Sequence, residues 1–159
     1  MSKSTLFMMV GIPGSGKTHF VNSIASSNAT IVSRDEIRFS IINDNDEYFS
    51  KEKQVFKEYV NRIQSALDKG GVVYADATQL NGVSRTKLIN SLDVSNTNVI
   101  PVMVKTSLDK CLKRNAKREG RRRVPDEVIK NMYNSLTDPA EDCKVMGDNY
   151  YATILYVGG

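Results

Sequence analysis

The sequence predicts an α/β fold in which a parallel β-sheet is flanked by helices on both faces. Two observations predict it. Short apolar runs of strand length alternate with helical patterns along the chain, and that alternation implies parallel strands joined by right-handed crossovers. Gly11, Arg34 with Asp35, Asp76 and Lys105 also each fall just past the end of such a run. In sheets of this kind the ligand sits beyond the carboxyl ends of the strands.

Thr5 to Val10 is an apolar run stopped by Gly11, which reads as a buried strand. Lys17 to about Ser27 follows as a helix with Phe20, Val21 and Ile24 on one face. Thr30 to Ser33 is a second strand, and Asp35 to Ile42 a helix carrying Ile37, Ile41 and Ile42 inward. From Ser50 to Lys69 the residues Phe56, Tyr59, Val60, Ile63 and Leu67 recur at three and four, and Gly70-Gly71 ends that helix. Val72 to Ala75 is a buried strand ending at Asp76, Ser84 to Leu92 a helix, and Val99 to Val104 another strand. Leu108 to Lys117 is helical. Pro125 starts a further helix with Val128, Ile129, Met132, Tyr133 and Leu136 on its apolar face. Tyr151 to Val157 is the last strand.

A chain of 159 residues fits a single domain, residues 1–159. No apolar run approaches the length of a membrane helix, and the start is not that of a signal peptide, so a cytoplasmic protein is expected, with no membrane partner. Cys111 and Cys143 lie outside any metal-binding or CxxC spacing. The net charge of +4 is modest, but nine lysines and arginines lie between Lys105 and Arg123, opposed only by Asp109 and Glu119. Such a block is either a solvated face or a phosphate site.

The strongest motif follows the first strand. Gly11-Ile12-Pro13-Gly14-Ser15-Gly16-Lys17-Thr18 matches GxxxxGK[ST] throughout. Glycines let successive N–H groups face inward, and the following helix adds its positive end. Lys17 reaches the β and γ phosphates of ATP, and the Thr18 hydroxyl ligates Mg²⁺. With average residue frequencies such a match arises by chance about once in two hundred chains of this length, and here it also has the required strand–loop–helix setting. The expected fold is thus that of P-loop NTPases. His19, on the first helical turn, is given no role.

Three further groups carry chemistry. Asp35 and Arg38 share a helix face: the carboxylate suits a general base and the guanidinium an acceptor phosphate, or the two form an exposed capping pair. Asp76 ends an apolar strand, where an acid supports the magnesium ion, orients the acceptor hydroxyl or caps a turn. Lys113 to Pro125 is a basic helix end, a glycine break and a proline restart, which reads as an arginine-rich lid. Arg114 and Arg118 project from one face and suit the charge of a phosphoryl transition state. Arg121, Arg122 and Arg123 are left between acceptor binding and a solvated face.

From about Leu6 to Leu136 the chain resembles the kinase domain of phage-type polynucleotide 5′-kinases. The resemblance rests on the glycine loop, Arg34-Asp-Glu-Ile-Arg38, Asp76-Ala-Thr-Gln-Leu-Asn81, and Lys113-Arg-Asn-Ala-Lys-Arg118 with the downstream Val-Pro and Asn-Met-Tyr-Asn-Ser-Leu. It implies an ATP- and Mg²⁺-dependent kinase acting on 5′-hydroxyl ends of RNA or DNA, in nucleic-acid repair. It implies Asp35 as general base, Arg38 on the 3′-phosphate of the terminal nucleotide, and Arg118 as the lid arginine, with Arg114 a second. It makes Asp76 an acceptor-site acid, around which this chain carries one extra residue. There is no DxDGT phosphatase motif, and the Arg121–Arg123 run is more basic than the family pattern. Two other readings stand beside it: a small-molecule or nucleoside kinase, and a nucleotide-gated nucleic-acid-binding module.

Overall fold

The computed structural model describes residues 3–147 and 150–158. Five parallel strands form one sheet in the order β2-β3-β1-β4-β5, with β1 Ser4–Val10, β2 Thr30–Ser33, β3 Val72–Asp76, β4 Thr97–Lys105 and β5 Leu155–Gly158. Among the described residues seven α-helices complete the α/β fold: α1 Lys17–Ile24, α2 Arg34–Ile41, α3 Glu52–Asp68, α4 Gly82–Asn90, α5 Leu108–Ala116, α6 Asp126–Ser135 and the short α7 Cys143–Met146. None is long and apolar enough to cross a membrane among the described residues.

Side-chain alternation along β1 builds two cores. Leu6 and Met8 face a cluster with Ile37 of α2, Val55, Tyr59 and Ile63 of α3, and Leu88 and Ile89 of α4. Phe7 and Met9 face the other way, onto Val21 of α1, with Phe7 stacked on Tyr74 at 4.9 Å. A third cluster, Ile12, Cys111, Val124 and Ile129, lies under the glycine loop and joins α5 and α6 to it.

The register sets up the ligand edge. Ser33 pairs with Asp76, so α2 begins beside the residue that ends β3. The Gly11 amide donates to the Thr78 carbonyl at 3.0 Å, which ties the loop after β1 to the loop after β3. A second tie runs from the Thr106 hydroxyl after β4 to the Ser15 carbonyl at 2.7 Å.

Several expected details differ. α1 ends at Ile24 because Ala25 turns extended at ψ 128°, and Ile24 is 48% exposed rather than inward. Tyr133, expected on the apolar face of α6, is 42% exposed. The last strand starts at Leu155, not Tyr151. Tyr151 makes only an isolated bridge to Val99, since its hydroxyl is drawn to Asp142 at 2.9 Å. Lys105 ends β4 instead of following it, pairs with Gly158 and lays its amine 4.7 Å from the Tyr156 ring, outside the ligand cleft.

Candidate active site

The glycine loop takes its shape from backbone positions that a side chain would spoil. Gly14 has φ 84°, and a Cβ there would stand 2.7 Å from the Cys111 carbonyl oxygen. Gly16, at φ 101°, is the N-cap of α1 and offers no side chain to its first turn. The first N–H groups of α1 therefore remain open to an anion. The Ser15 hydroxyl is buried in the loop without a hydrogen-bond partner. A nucleotide phosphate fits these features: it accepts from orphaned donors and occupies the space that the absent side chains leave.

Lys17 is buried and donates to the Ile12 carbonyl at 3.0 Å. Burial lowers its amine pKa below the usual lysine range, and the Asp76 and Asp35 charges offset part of that. The Thr18 hydroxyl donates to Asp76 Oδ2 at 2.8 Å, although 58 residues separate the two. Burial raises the Asp76 carboxyl pKa, against the Thr18 hydrogen bond and the Lys17 charge. A hydroxyl and a carboxylate oxygen side by side are hard oxygen donors of the kind Mg²⁺ takes, so Thr18 and Asp76 are the residues able to hold it.

Asp35 and Arg38 do share a face of α2, and they form an ion pair. The pair does not stand alone. Arg38 is 5% exposed and donates from Nε and Nη2 to both carboxylate oxygens of Glu52, at 2.6 and 3.1 Å. Its Nη1 donates to Asp35 and, at 3.1 Å, to the Tyr48 hydroxyl. Tyr48 in turn donates to Asp35 Oδ1 at 3.0 Å. Arg34 also donates to Glu52, at 3.0 Å. Burial raises the Glu52 pKa, but hydrogen bonds and charge from Arg38 and Arg34 outweigh it and hold the carboxyl below its ordinary 4.5. Burial and the Asp35 charge push the Tyr48 hydroxyl up to about 12, so it stays a proton donor. Glu52 and Tyr48 carry no motif of their own in the sequence. The i, i+4, i+7 surroundings of Glu52 mark only a helix.

The lid spans the end of α5 and the one-turn 3₁₀ helix Gly120–Arg122. Its base is clamped by buried Asn115, whose amide donates to the Val124 carbonyl at 2.6 Å and accepts from the Val124 amide at 3.0 Å. Arg114 leans on the glycine loop, donating to the Gly14 carbonyl at 3.1 Å. Arg118 is exposed, lines the cleft, and makes no side-chain hydrogen bond or ion pair among the described residues. Arg121 donates to the Ile42 and Phe39 carbonyls at 2.9 and 3.1 Å, and Arg122 to Glu36 at 3.0 Å. Arg121 thus fastens this segment to the C-terminal end of α2, and Arg122 fastens it to the first turn of the same helix.

All of this converges on one cleft of about 320 Å³, lined by Pro13, Gly14, Gly16, Lys17, Thr18, Asp35, Arg38, Asp76, Arg114 and Arg118 among others. It opens into a wider groove of about 820 Å³ along β2 that shares Thr18, Asp35, Asp76 and Arg118. Gly11, Ile12 and Ser15 lie buried behind the lining. Lys105, which the strand pattern groups with these residues, does not line the cleft, and neither does Arg121.

A family model described as an AAA domain matches residues 6–139. The L-seryl-tRNA(Sec) kinase of Methanococcus maripaludis is 29% identical over 145 residues, 84% of this chain and 53% of that protein. A putative bifunctional polynucleotide kinase/RNA ligase of Autographa californica nuclear polyhedrosis virus is 25% identical over 166 residues, 96% of this chain and 23% of that protein. The chain thus spans about half the length of the first relative and under a quarter of the second. The solved Pnkp1/Rnl/Hen1 RNA repair complex matches with a TM-score of 0.70 at 19% identity, covering 91% of this chain and 47% of that one. Chaetomium thermophilum Kti12 in complex with ADP-AlF3 matches with a TM-score of 0.66 at 13% identity, covering 96% and 88%. At such identities the structural likeness speaks for the fold. The chain belongs to the AAA-domain family that the model describes, and its fold is that of the P-loop kinases.

Proposed function

We propose that the protein is an ATP-dependent polynucleotide 5′-hydroxyl kinase, which transfers the γ-phosphoryl group of ATP to the 5′-OH of RNA or DNA in end repair. The observation that carries the reading is Asp35, held by Arg38 and Tyr48, in the same cleft as Lys17, Thr18 and the unpaired Arg118. The similarity to a protein named as a polynucleotide kinase/RNA ligase, and to an RNA repair complex, supports the acceptor class.

In this reading Asp35 accepts the proton of the attacking 5′-hydroxyl. A new O–P bond forms as the bond from the γ-phosphorus to the bridging oxygen breaks, and ADP leaves. Lys17 and Arg118, both already on the cleft wall, stabilise the charge on the transferred oxygens. Thr18 and Asp76 would hold Mg²⁺, which would supply charge neutralisation for the phosphoryl group. Arg114 steadies the loop from the cleft wall through the Gly14 carbonyl.

One observation favours a second reading, a kinase for a hydroxyl acceptor without a neighbouring phosphate. Arg38, the candidate anchor for the acceptor's 3′-phosphate, already has both oxygens of Glu52. The similarity to L-seryl-tRNA(Sec) kinase points the same way. Transfer of labelled γ-phosphate from ATP to 5′-hydroxyl RNA and DNA oligonucleotides, against seryl-tRNA, nucleosides and sugars, separates the two. Label on oligonucleotide ends that Lys17→Ala and Asp35→Asn both abolish supports the kinase and its two central residues. Label confined to the other acceptors refutes the polynucleotide reading.

A further inference from the structure

We propose that Phe49, backed by Tyr48, is a stacking platform for the base of the acceptor's terminal nucleotide. The proposal rests on the polynucleotide reading above and names a contact that reading did not include. The two rings sit in the segment between α2 and α3, and both line the catalytic cleft. Phe49 is 44% exposed. With Tyr48 at its edge and Arg38 over it, the ring still leaves apolar surface open on the cleft wall, beside the proposed base.

Its position relative to the chemistry is fixed. The Tyr48 hydroxyl is on Asp35, the proposed base, at 3.0 Å. Phe49 meets the Tyr48 ring edge-on, with centroids 4.6 Å apart and planes at 80°. The Arg38 guanidinium lies 4.5 Å from the Tyr48 centroid and 5.4 Å from that of Phe49. Both neighbours are themselves tethered, Arg38 by Glu52 and Tyr48 by Asp35. The platform is therefore pre-ordered before any acceptor arrives, and little entropy is lost on stacking. Tyr48 also packs into the apolar cluster of Val124 and Met132, both of which line the same cleft.

The acceptor chemistry follows. A hydroxyl at Asp35 whose own molecule carries a flat aromatic ring nearby gains from Phe49; an open-chain sugar hydroxyl does not. Any base serves, because every base has a π-face. The platform thus supplies affinity for a nucleotide end without reading its sequence, and without calling on Arg38.

The test is steady-state kinetics of phosphoryl transfer to paired 5′-hydroxyl oligonucleotides, one with a terminal base and one with an abasic terminal ribose. The wild type, Phe49→Ala and Phe49→Trp are compared, with ATP affinity and thermal melting as folding controls. The expected result is a KM for the base-bearing end that rises about 5- to 100-fold in Phe49→Ala, with the preference over the abasic end lost. Phe49→Trp should restore that preference, and KM for ATP should be unchanged. If Phe49→Ala keeps the wild-type preference, the platform is overturned while the polynucleotide reading stands. If the wild type labels neither oligonucleotide, the polynucleotide reading falls and the platform with it.

Discussion

Asp142→Ala should be among the most damaging single substitutions outside the cleft. Arg85 of α4 is fully buried, and its guanidinium meets both Asp142 oxygens, at 2.6 and 3.1 Å. It also donates to the Gln79 carbonyl at 2.9 Å and the Thr137 hydroxyl at 2.8 Å, while Tyr151 donates to Asp142 at 2.9 Å. Burial next to Asp142 drives the Tyr151 hydroxyl pKa well up, so it remains a donor. Removing Asp142 strands a guanidinium where water cannot reach it. Breaking such a buried pair costs about 3–5 kcal/mol. The orphaned Tyr151 hydroxyl belongs to the same network, so its cost does not simply add. Against a total stability of about 5–15 kcal/mol that loss is a large fraction. At about 2–4 °C per kcal/mol for a domain of this size, the melting temperature should fall by about 6–20 °C. Urea titration followed by far-ultraviolet circular dichroism measures the loss directly. The paired change Arg85→Met with Asp142→Leu removes both charges together and should cost far less than Asp142→Ala alone. A single-variant loss under about 1 kcal/mol would refute the uncompensated-charge argument, as would a double variant no better than the single.

Three other outcomes are expected. Lys17→Met should lower transfer by about 10²-fold or more, yet leave the unliganded fold at least as stable. The buried amine is easier to deprotonate folded than unfolded, so the unfolded chain binds more protons between the lowered value and 10.5. Wild-type stability should rise with pH across that window, and the slope should vanish in the variant when denaturation is measured against pH. Glu52→Gln should destabilise by about 1–3 kcal/mol, less than a fully buried pair because the carboxylate is partly exposed. Since Glu52 is held below its ordinary 4.5, its contribution is full above that pH and is lost as pH falls through the folded value. The gap between variant and wild type should therefore close in acid. Arg121→Ala should unfasten the lid from the end of α2, because Arg121 bonds the Phe39 and Ile42 carbonyls. Amide exchange from Lys117 to Arg123 should speed up about tenfold or more, with α5 itself unchanged.

Much of this architecture is legible along the chain. The glycine loop, the strand before it and the helix after it are written in consecutive residues. Strands follow from short apolar runs and helices from apolar residues recurring at three and four, and both need only a few neighbours to register. The Asp35–Arg38 pair is legible for the same reason, being one helical turn apart. What the linear order could not yield is the choice of partners. Thr18 finds Asp76 because β1 and β3 are neighbours in the sheet. Arg38 is claimed by Glu52, 14 residues on, because α3 packs beside α2. Gln79, at φ 43°, bridges Tyr59 to the Met9 carbonyl, and nothing around it marks a buried residue. The three arginines Arg121 to Arg123 read alike in sequence, yet the fold gives one to the last turn of α2 and one to its first turn. Lys105 looks like a site residue until the extra length of β4 carries it past the cleft to Tyr156. Local patterns report backbone preference within a turn or two. The pairing of charges and hydroxyls depends on distances through space, and those are set by strand order, register and the packing of helices on the sheet.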